Sequence, residues 1–183
     1  MRLYRQTVED FSLYAGMEMD DAQLARLRQA AGEMSAKMRA VRIVAASNVS
    51  KSDLQQRLIR KGESPKQAEA AVNWMEELNL LDDRKTAEQI VSSCARKGYG
   101  KARAKQALYE KRIPKELWDE VLTDYPDQSE SIFEFLRSRL SDDADMREIK
   151  RCIDALLRRG HSYGQIKRGL ERLSLETDQL PEE

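Results

Sequence analysis

Leu156-Leu157-Arg158-Arg159-Gly160-His161-Ser162 reads as the last turn of one helix, a glycine stop and the cap of the next helix. The same pattern stands twice earlier in the chain. Leu58 with Gly62 and Leu108 with Arg112 match Leu156 with Gly160, at separations of 50 and 48 positions. The match extends outward on both sides. Four residues before each leucine stand Leu54, Ala104 and Cys152; ten after stand Ala68, Trp118 and Ile166; fourteen after stand Val72, Leu122 and Leu170. Such a period marks one supersecondary unit copied in tandem, each copy burying its apolar side against its neighbours. Chains of this kind usually present binding surfaces, not a single deep catalytic pocket.

Composition agrees. Charged residues make up 35% of the 183 and aromatics 6%, too few apolar rings for one thick core. Gly and Pro are sparse, and the abundant Ala, Leu, Glu, Lys, Arg and Gln favour helix. Net charge is zero, but its signs are segregated. Residues 84–112 carry nine Lys/Arg against Glu88 and Glu110; residues 115–145 carry ten acids against Lys115, Arg137 and Arg139; residues 147–172 turn basic again. A bipolar chain can attract a polyanion at two places without being basic as a whole, although solvated helix faces are charged as well. Cys94 and Cys152 have neither a CxxC partner nor a histidine at ligand spacing, which reads as buried, reduced thiols in a cytoplasmic protein. No apolar run reaches membrane-spanning length and no signal-peptide core is present.

The expected fold is all-α: three three-helix repeats at 33–81, 82–126 and 127–175, in an elongated, curved array. A short accessory segment at 1–32 precedes it and an acidic tail at 176–183 follows. Within the accessory segment, Leu3-Tyr4, Thr7-Val8 and Phe11 to Tyr14 suggest one or two short strands, followed by a short helix capped by Asp20-Asp21 and stopped near Gly32. Ser50 with Asp53, Ser64 with Gln67 and Ser162 with Gln165 have capping-box spacing. Pro65 and Pro114 suit first helical positions. Asp82-Asp83 complement a helix dipole, and Lys97-Gly98-Tyr99-Gly100 breaks a helix.

Several of these segments resemble the RecX family of recombination regulators. They are Ser50-Lys51-Ser52-Asp53-Leu54, Leu80-Leu81-Asp82-Asp83 with Ala87, Lys97-Gly98-Tyr99-Gly100, and Leu156-Leu157-Arg158-Arg159-Gly160-His161-Ser162-Tyr163. The similarity runs from about Gly16 to Leu173. Three positions depart from the family pattern: Thr86 stands where an aromatic is usual, His161 where Phe is usual, and Arg112 where Gly is usual. No nucleophile–base pair, metal cluster or cofactor loop stands among the residues, so a non-enzymatic monomer without cofactor or metal is expected, and the resemblance implies a small cytoplasmic protein. It implies binding to the RecA recombinase and its nucleoprotein filament, with restraint of filament growth, ATPase and strand exchange. It leaves single- or double-stranded DNA as a further contact, and no membrane.

Read from the residues, two basic clusters are the candidate contacts. The first is Lys97, Lys101, Arg103 and Lys105 beside Tyr99. Its cations suit phosphates or an acidic protein surface, and its ring suits stacking on an unpaired base. The second is Lys150, Arg151, Arg158, Arg159, Lys167 and Arg168, where Arg158-Arg159 also suit a helix C-terminus. The clusters are expected to share one side of the array. Gly98-Tyr99-Gly100-Lys101 lacks the spacing of a phosphate loop and reads as an interhelical turn. His161 has no partner for a triad or metal, and reads as a packed or capping residue. Asp142, Asp143 and Asp145 suit either a cation or helix capping, and Trp74 and Trp118 read as core. A helical-repeat DNA- or RNA-binding module acting without RecA, or a passive helical adaptor, are the other readings.

Overall fold

The computed structural model describes residues 3–141 and 143–177, and these form helices joined by turns, with no strand among them. In chain order they are α1 (Arg5–Asp10), α2 (Asp21–Ala46), α3 (Lys51–Arg60), α4 (Pro65–Glu77), α5 (Asp83–Arg96), α6 (Lys101–Glu110), a 3₁₀ turn (Lys115–Leu117), α7 (Trp118–Leu122), α8 (Ser129–Arg137), α9 (Met146–Arg158) and α10 (Tyr163–Thr177). The chain divides into two compact units, Met1–Thr86 and Ala87–Glu183. Asp142 and the acidic tail beyond Thr177 lie outside the described residues.

The pattern repeated in the sequence corresponds to one backbone device used three times. Gly62, Arg112 and Gly160, each just past a helix end, have φ of +92°, +55° and +85°. In each case the next residue donates back to the leucine that opens the motif: Glu63 N to Leu58 O (3.1 Å), Ile113 N to Leu108 O (3.0 Å) and His161 N to Leu156 O (3.2 Å). The left-handed residue itself donates to the carbonyl three before it, at 2.9 Å in all three. This is the Schellman arrangement, which satisfies carbonyls that a helix end would otherwise orphan and reverses the chain. Glycine adopts that conformation freely; Arg112 adopts it at the cost of Cβ crowding.

The reversal places the aligned apolar positions against one another. Three clusters result: Leu54, Leu58, Ala68 and Val72 with Met75; Ala104, Leu108 and Leu122 with Val91; and Cys152, Leu156 and Ile166 with Ile132 and Leu136. Trp74 and Trp118 are half-buried against the first and second clusters, as core residues. The expected caps form at Ser64–Gln67 and Ser162–Gln165. Ser50 Oγ accepts from Asp53 N (3.1 Å), while the Asp53 carboxylate turns forward to Arg57 in a two-pronged pair.

Two expectations for the first unit are corrected. The segment read as strands forms α1, held by Arg5–Glu9 and Gln6–Asp10 pairs at helical spacing. A lone strand pattern has no partner to complete its ladder, so the helical alternative wins. Gly32 does not stop a helix: α2 runs through it from its Asp20–Gln23 capping box to Ala46. A glycine costs a helix interior only about 1 kcal/mol, and packing outweighs that here. A Cβ at Gly32 would lie 2.0 Å from Gln67 Nε2, so the missing side chain admits the start of α4.

The paired acids before α5 have separate tasks. Asp82 caps its own helix, accepting from Lys85 N at 3.1 Å. Asp83 is buried and reaches back across the unit to accept from Lys51 N, at the head of α3, at 2.8 Å. Burial holds the Asp83 carboxyl above its ordinary value despite that bond and the nearby Lys51 charge. Asp83→Ala therefore strands a backbone donor and is expected to cost about 1–3 kcal/mol, whereas Asp82→Ala removes a cap worth about 1 kcal/mol. Asp83→Asn keeps an acceptor and sheds the buried charge, so it stays near wild type. Urea unfolding ranks the three.

Candidate partner-binding surface

In the second unit the Lys97–Gly100 turn packs directly on the Gly160–His161 turn. Gly100 N donates to Arg159 O (2.9 Å), and His161 Nε2 donates to Gly98 O (3.0 Å). Tyr125 Oη donates to Tyr99 O (2.6 Å), and burial pushes that phenol up to about 12, so it remains a donor. The backbones meet closely enough that only glycine fits. A Cβ on Gly100 would lie 2.0 Å from Gly160 O, and one on Gly160 would lie 2.3 Å from Arg103 N. The first turn of α6 and the end of α9 are thereby fixed against each other.

This contact joins parts of the two basic clusters. Lys97, Lys101 and Arg103 come from one side, Arg158 and Arg159 from the other. Arg103 is half-buried and bound to Glu110 at 3.0 Å. Lys97, Lys101, Lys105 and Arg158 are exposed and have no carboxylate partner among the described residues. Arg159 is half-buried, its guanidinium 4.5 Å from the centre of the Phe135 ring, and Arg139 rests on the same ring at 5.2 Å. Two like charges held by one ring, neither with a carboxylate partner, form an ordered cationic pair that gains from an incoming anion. Arg139 was missed in the sequence because it stands in the acidic block; its signal is the helical spacing from Phe135.

The remaining candidates lie further off. Lys150 and Arg151 are exposed on α9, about 12 Å along the helix from Arg159. On α10, Lys167 pairs with Glu171 (3.7 Å) and Arg168 is exposed without a carboxylate partner. Tyr99 is corrected: it is half-buried against the second cluster, with its carbonyl held by Tyr125, so its ring is core packing and no open stacking platform. Asp145 spends one oxygen on the N–H groups of Arg147 and Glu148 as the α9 cap. Asp143 accepts from Ser141 Oγ at 2.7 Å, and that bond holds its carboxyl below the ordinary value. Cys94 and Cys152 are free and buried, and burial pushes both thiols up.

Relatives of known family share this chain. A family model described as RecX, second three-helix domain, matches residues 82–122. The regulatory protein RecX of Halorhodospira halophila is 31% identical over 132 residues, which cover 70% of this chain and 81% of the relative. The chain belongs to the RecX family. The regulatory protein RecX of Vibrio parahaemolyticus is 26% identical over 151 residues, covering 78% of this chain and 94% of the relative. Two crystal structures have the same fold. One, of a regulatory protein RecX, has a TM-score of 0.67 at 21% identity and covers 91% of this chain and 86% of its own. The other, of RecX from Lactobacillus salivarius, has a TM-score of 0.66 at 20% identity, covering 80% and 99%. The chain is thus a member of a family of regulatory proteins. No described helix is long and apolar enough to cross a membrane.

His161 ties the two turns of this junction together. It is buried, and because Gly98 O can only accept, Nε2 carries the hydrogen and Nδ1 is left a bare acceptor with no partner. Burial, with Arg159 nearby, holds the imidazole below its ordinary value of 6.5, against the pull of Gly98 O. The folded chain therefore protonates His161 at lower pH than the unfolded chain does. Its contribution is intact above the unfolded value and is lost as pH falls through the folded one. Stability of the second unit is expected to decline as pH falls below about 6.5, and His161→Phe should flatten that decline in paired denaturant titrations.

The glycine contact makes a sharper steric prediction. Gly100→Ala drives a Cβ into backbone and should cost about 2–3 kcal/mol. Gly62→Ala, at a turn of the same shape with nothing within 4 Å, should cost about 1 kcal/mol from backbone strain alone. Thermal unfolding of the two variants measures the difference.

Proposed function

We propose that the chain is a non-enzymatic cytoplasmic regulator that binds the RecA recombinase and its filament on single-stranded DNA. It restrains filament growth, and with it ATPase and strand exchange. Membership of the RecX family supports the regulatory role. The observation that carries the contact is the junction of α6 and α9, where unpaired lysines and arginines from two helices are fixed by backbone packing. A fixed array of cations meets a polyanion or an acidic protein face without first ordering long side chains on separate mobile segments. The mechanism is competition: the chain occupies a filament surface that subunit addition or strand pairing needs, and binding shifts the balance by its preference for that surface. The three repeats at 33–81, 82–126 and 127–175, acting as a monomer, are the scaffold of this reading.

The lack of carboxylate partners at Lys101 and Lys105 also favours a second reading, a nucleic-acid-binding module acting without RecA. One assay separates the two. Titrated into a RecA single-strand-dependent ATPase reaction, the wild-type chain should lower the rate at substoichiometric amounts. Lys101→Glu with Lys105→Glu should need about tenfold more protein for the same effect. Salt-sensitive binding to naked nucleic acid with no change in ATPase would favour the second reading, and unchanged restraint by the double variant would remove this surface from the contact.

A further inference from the structure

The first unit holds a cavity that the proposed function does not use. It has a volume of about 920 Å³, lies along α2, and is walled by the end of α3 and by Tyr4. Five cations line it, Arg28, Arg39, Arg42, Arg57 and Lys61, against one acid, Glu63. Glu63 is buried and already satisfied: Arg39 Nε lies 2.8 Å from it and Ser35 Oγ donates to it at 2.9 Å. Arg57 is bound to Asp53. Arg28, Arg42 and Lys61 are exposed and have no acidic partner among the described residues. Three positive charges thus face one space with nothing in it to balance them.

Their arrangement is uneven. Arg39 donates to Lys61 O (2.7 Å), and Arg42 follows Arg39 by one turn of α2, so Arg39, Arg42 and Lys61 gather at one end. Arg28 stands eleven residues before Arg39, about 16 Å of helix rise away. Between them the lining along α2 carries only the short side chains of Ala31 and Ser35. A matching ligand has dense negative charge at one end and a flat, weakly polar group at the other. Arginine forks bind phosphate oxygens in pairs, and an arginine plane stacks on a base. We propose that this cavity binds a nucleoside di- or triphosphate, its phosphates at Arg42 and Lys61 and its base toward Arg28. An acidic peptide fits less well, because it must order a length of backbone to bring as many charges together.

The test uses the whole chain without any recombinase, so it stands apart from the regulatory reading. ATP and inorganic tripolyphosphate are titrated by calorimetry at low salt. Saturable ATP binding is expected, with tripolyphosphate competing but weaker. Arg42→Ala with Lys61→Ala should weaken ATP at least about tenfold, since each charge-assisted bond is worth that order. Arg28→Ala should weaken ATP more than tripolyphosphate, and Lys115→Ala, at an exposed lysine of the second unit outside both surfaces, should change neither. These positions are exposed and alanine favours helix, so an unchanged melting curve checks the fold. No saturable heat with millimolar ATP overturns the proposal. So does equal loss in the Lys115→Ala control, or a single-stranded oligonucleotide proving the only ligand that the double variant weakens.

Discussion

The fold depends on a left-handed residue at the end of α3, α6 and α9. Once that residue turns the chain, the following position is forced inward, and the leucine that opened the motif receives its N–H. The reversal lays the apolar stripe of the helix before it against that of the helix after it, and α2, α5 and α8 close the three clusters with Ala36 and Ala40, Val91, and Ile132 and Leu136. Helices as short as α3 and α6, with ten residues each, are marginal alone in water. They persist because the turn delivers each one onto a neighbour. Arg112 shows how strong the demand is, since the turn keeps its shape, at φ +55°, with a residue that gains nothing from that region of backbone space.

That device is also why so much of the fold could be read from residue types. Spacing recorded it directly: a leucine, a stop four residues on, and apolar positions at fixed offsets on either side. Leu54, Leu58, Ala68, Ala104, Leu108, Leu122, Leu156 and Ile166 are all buried. The reading went astray where a local signal competed with a distant partner. Gly32 looks like a stop in isolation and is a packing glycine only because Gln67 lies over it. Leu3-Tyr4, Thr7-Val8 and Phe11 to Tyr14 suggest strands by residue type, whereas Arg5 with Glu9 and Gln6 with Asp10 stand at helical spacing and pair that way. Asp83 looks like a dipole charge for its own helix, yet its oxygen serves α3.

The surface was less legible than the core, for a related reason. A run of lysines and arginines in sequence says nothing of which ones face each other. Gly100 and Gly160 decide that, by letting two backbones approach to a distance no side chain allows, and this sets the first turn of α6, with Arg103, against Arg159 and Gly160 at the end of α9. Arg139 joins from a block whose net charge is negative, because Phe135 holds it beside Arg159. Tyr99 left the set for the opposite reason, since its turn is anchored inward by Tyr125. The cationic cavity in the first unit was not legible at all: its residues are spread from Tyr4 to Glu63, and no short stretch of them looks basic.

The residue that follows each left-handed turn links these surfaces to the fold. It is Glu63, Ile113 and His161 in the three copies, and all three are buried. An apolar residue is the ordinary occupant of this place, where it packs on the preceding helix, and Ile113 conforms. Glu63 and His161 do not, and each must find partners or suffer burial unsatisfied. Glu63 finds Arg39 and Ser35, which ties α2 to the turn and leaves the wall of the cavity cationic. His161 finds Gly98 O, which ties the two basic turns together, but keeps one nitrogen unpartnered. A polar residue at a position built for an apolar one thus marks the place where each unit departs from plain packing. In both of these copies the departure sits next to positive charge without a carboxylate partner, so the polar choice at Glu63 and at His161 adjoins a surface suited to a ligand.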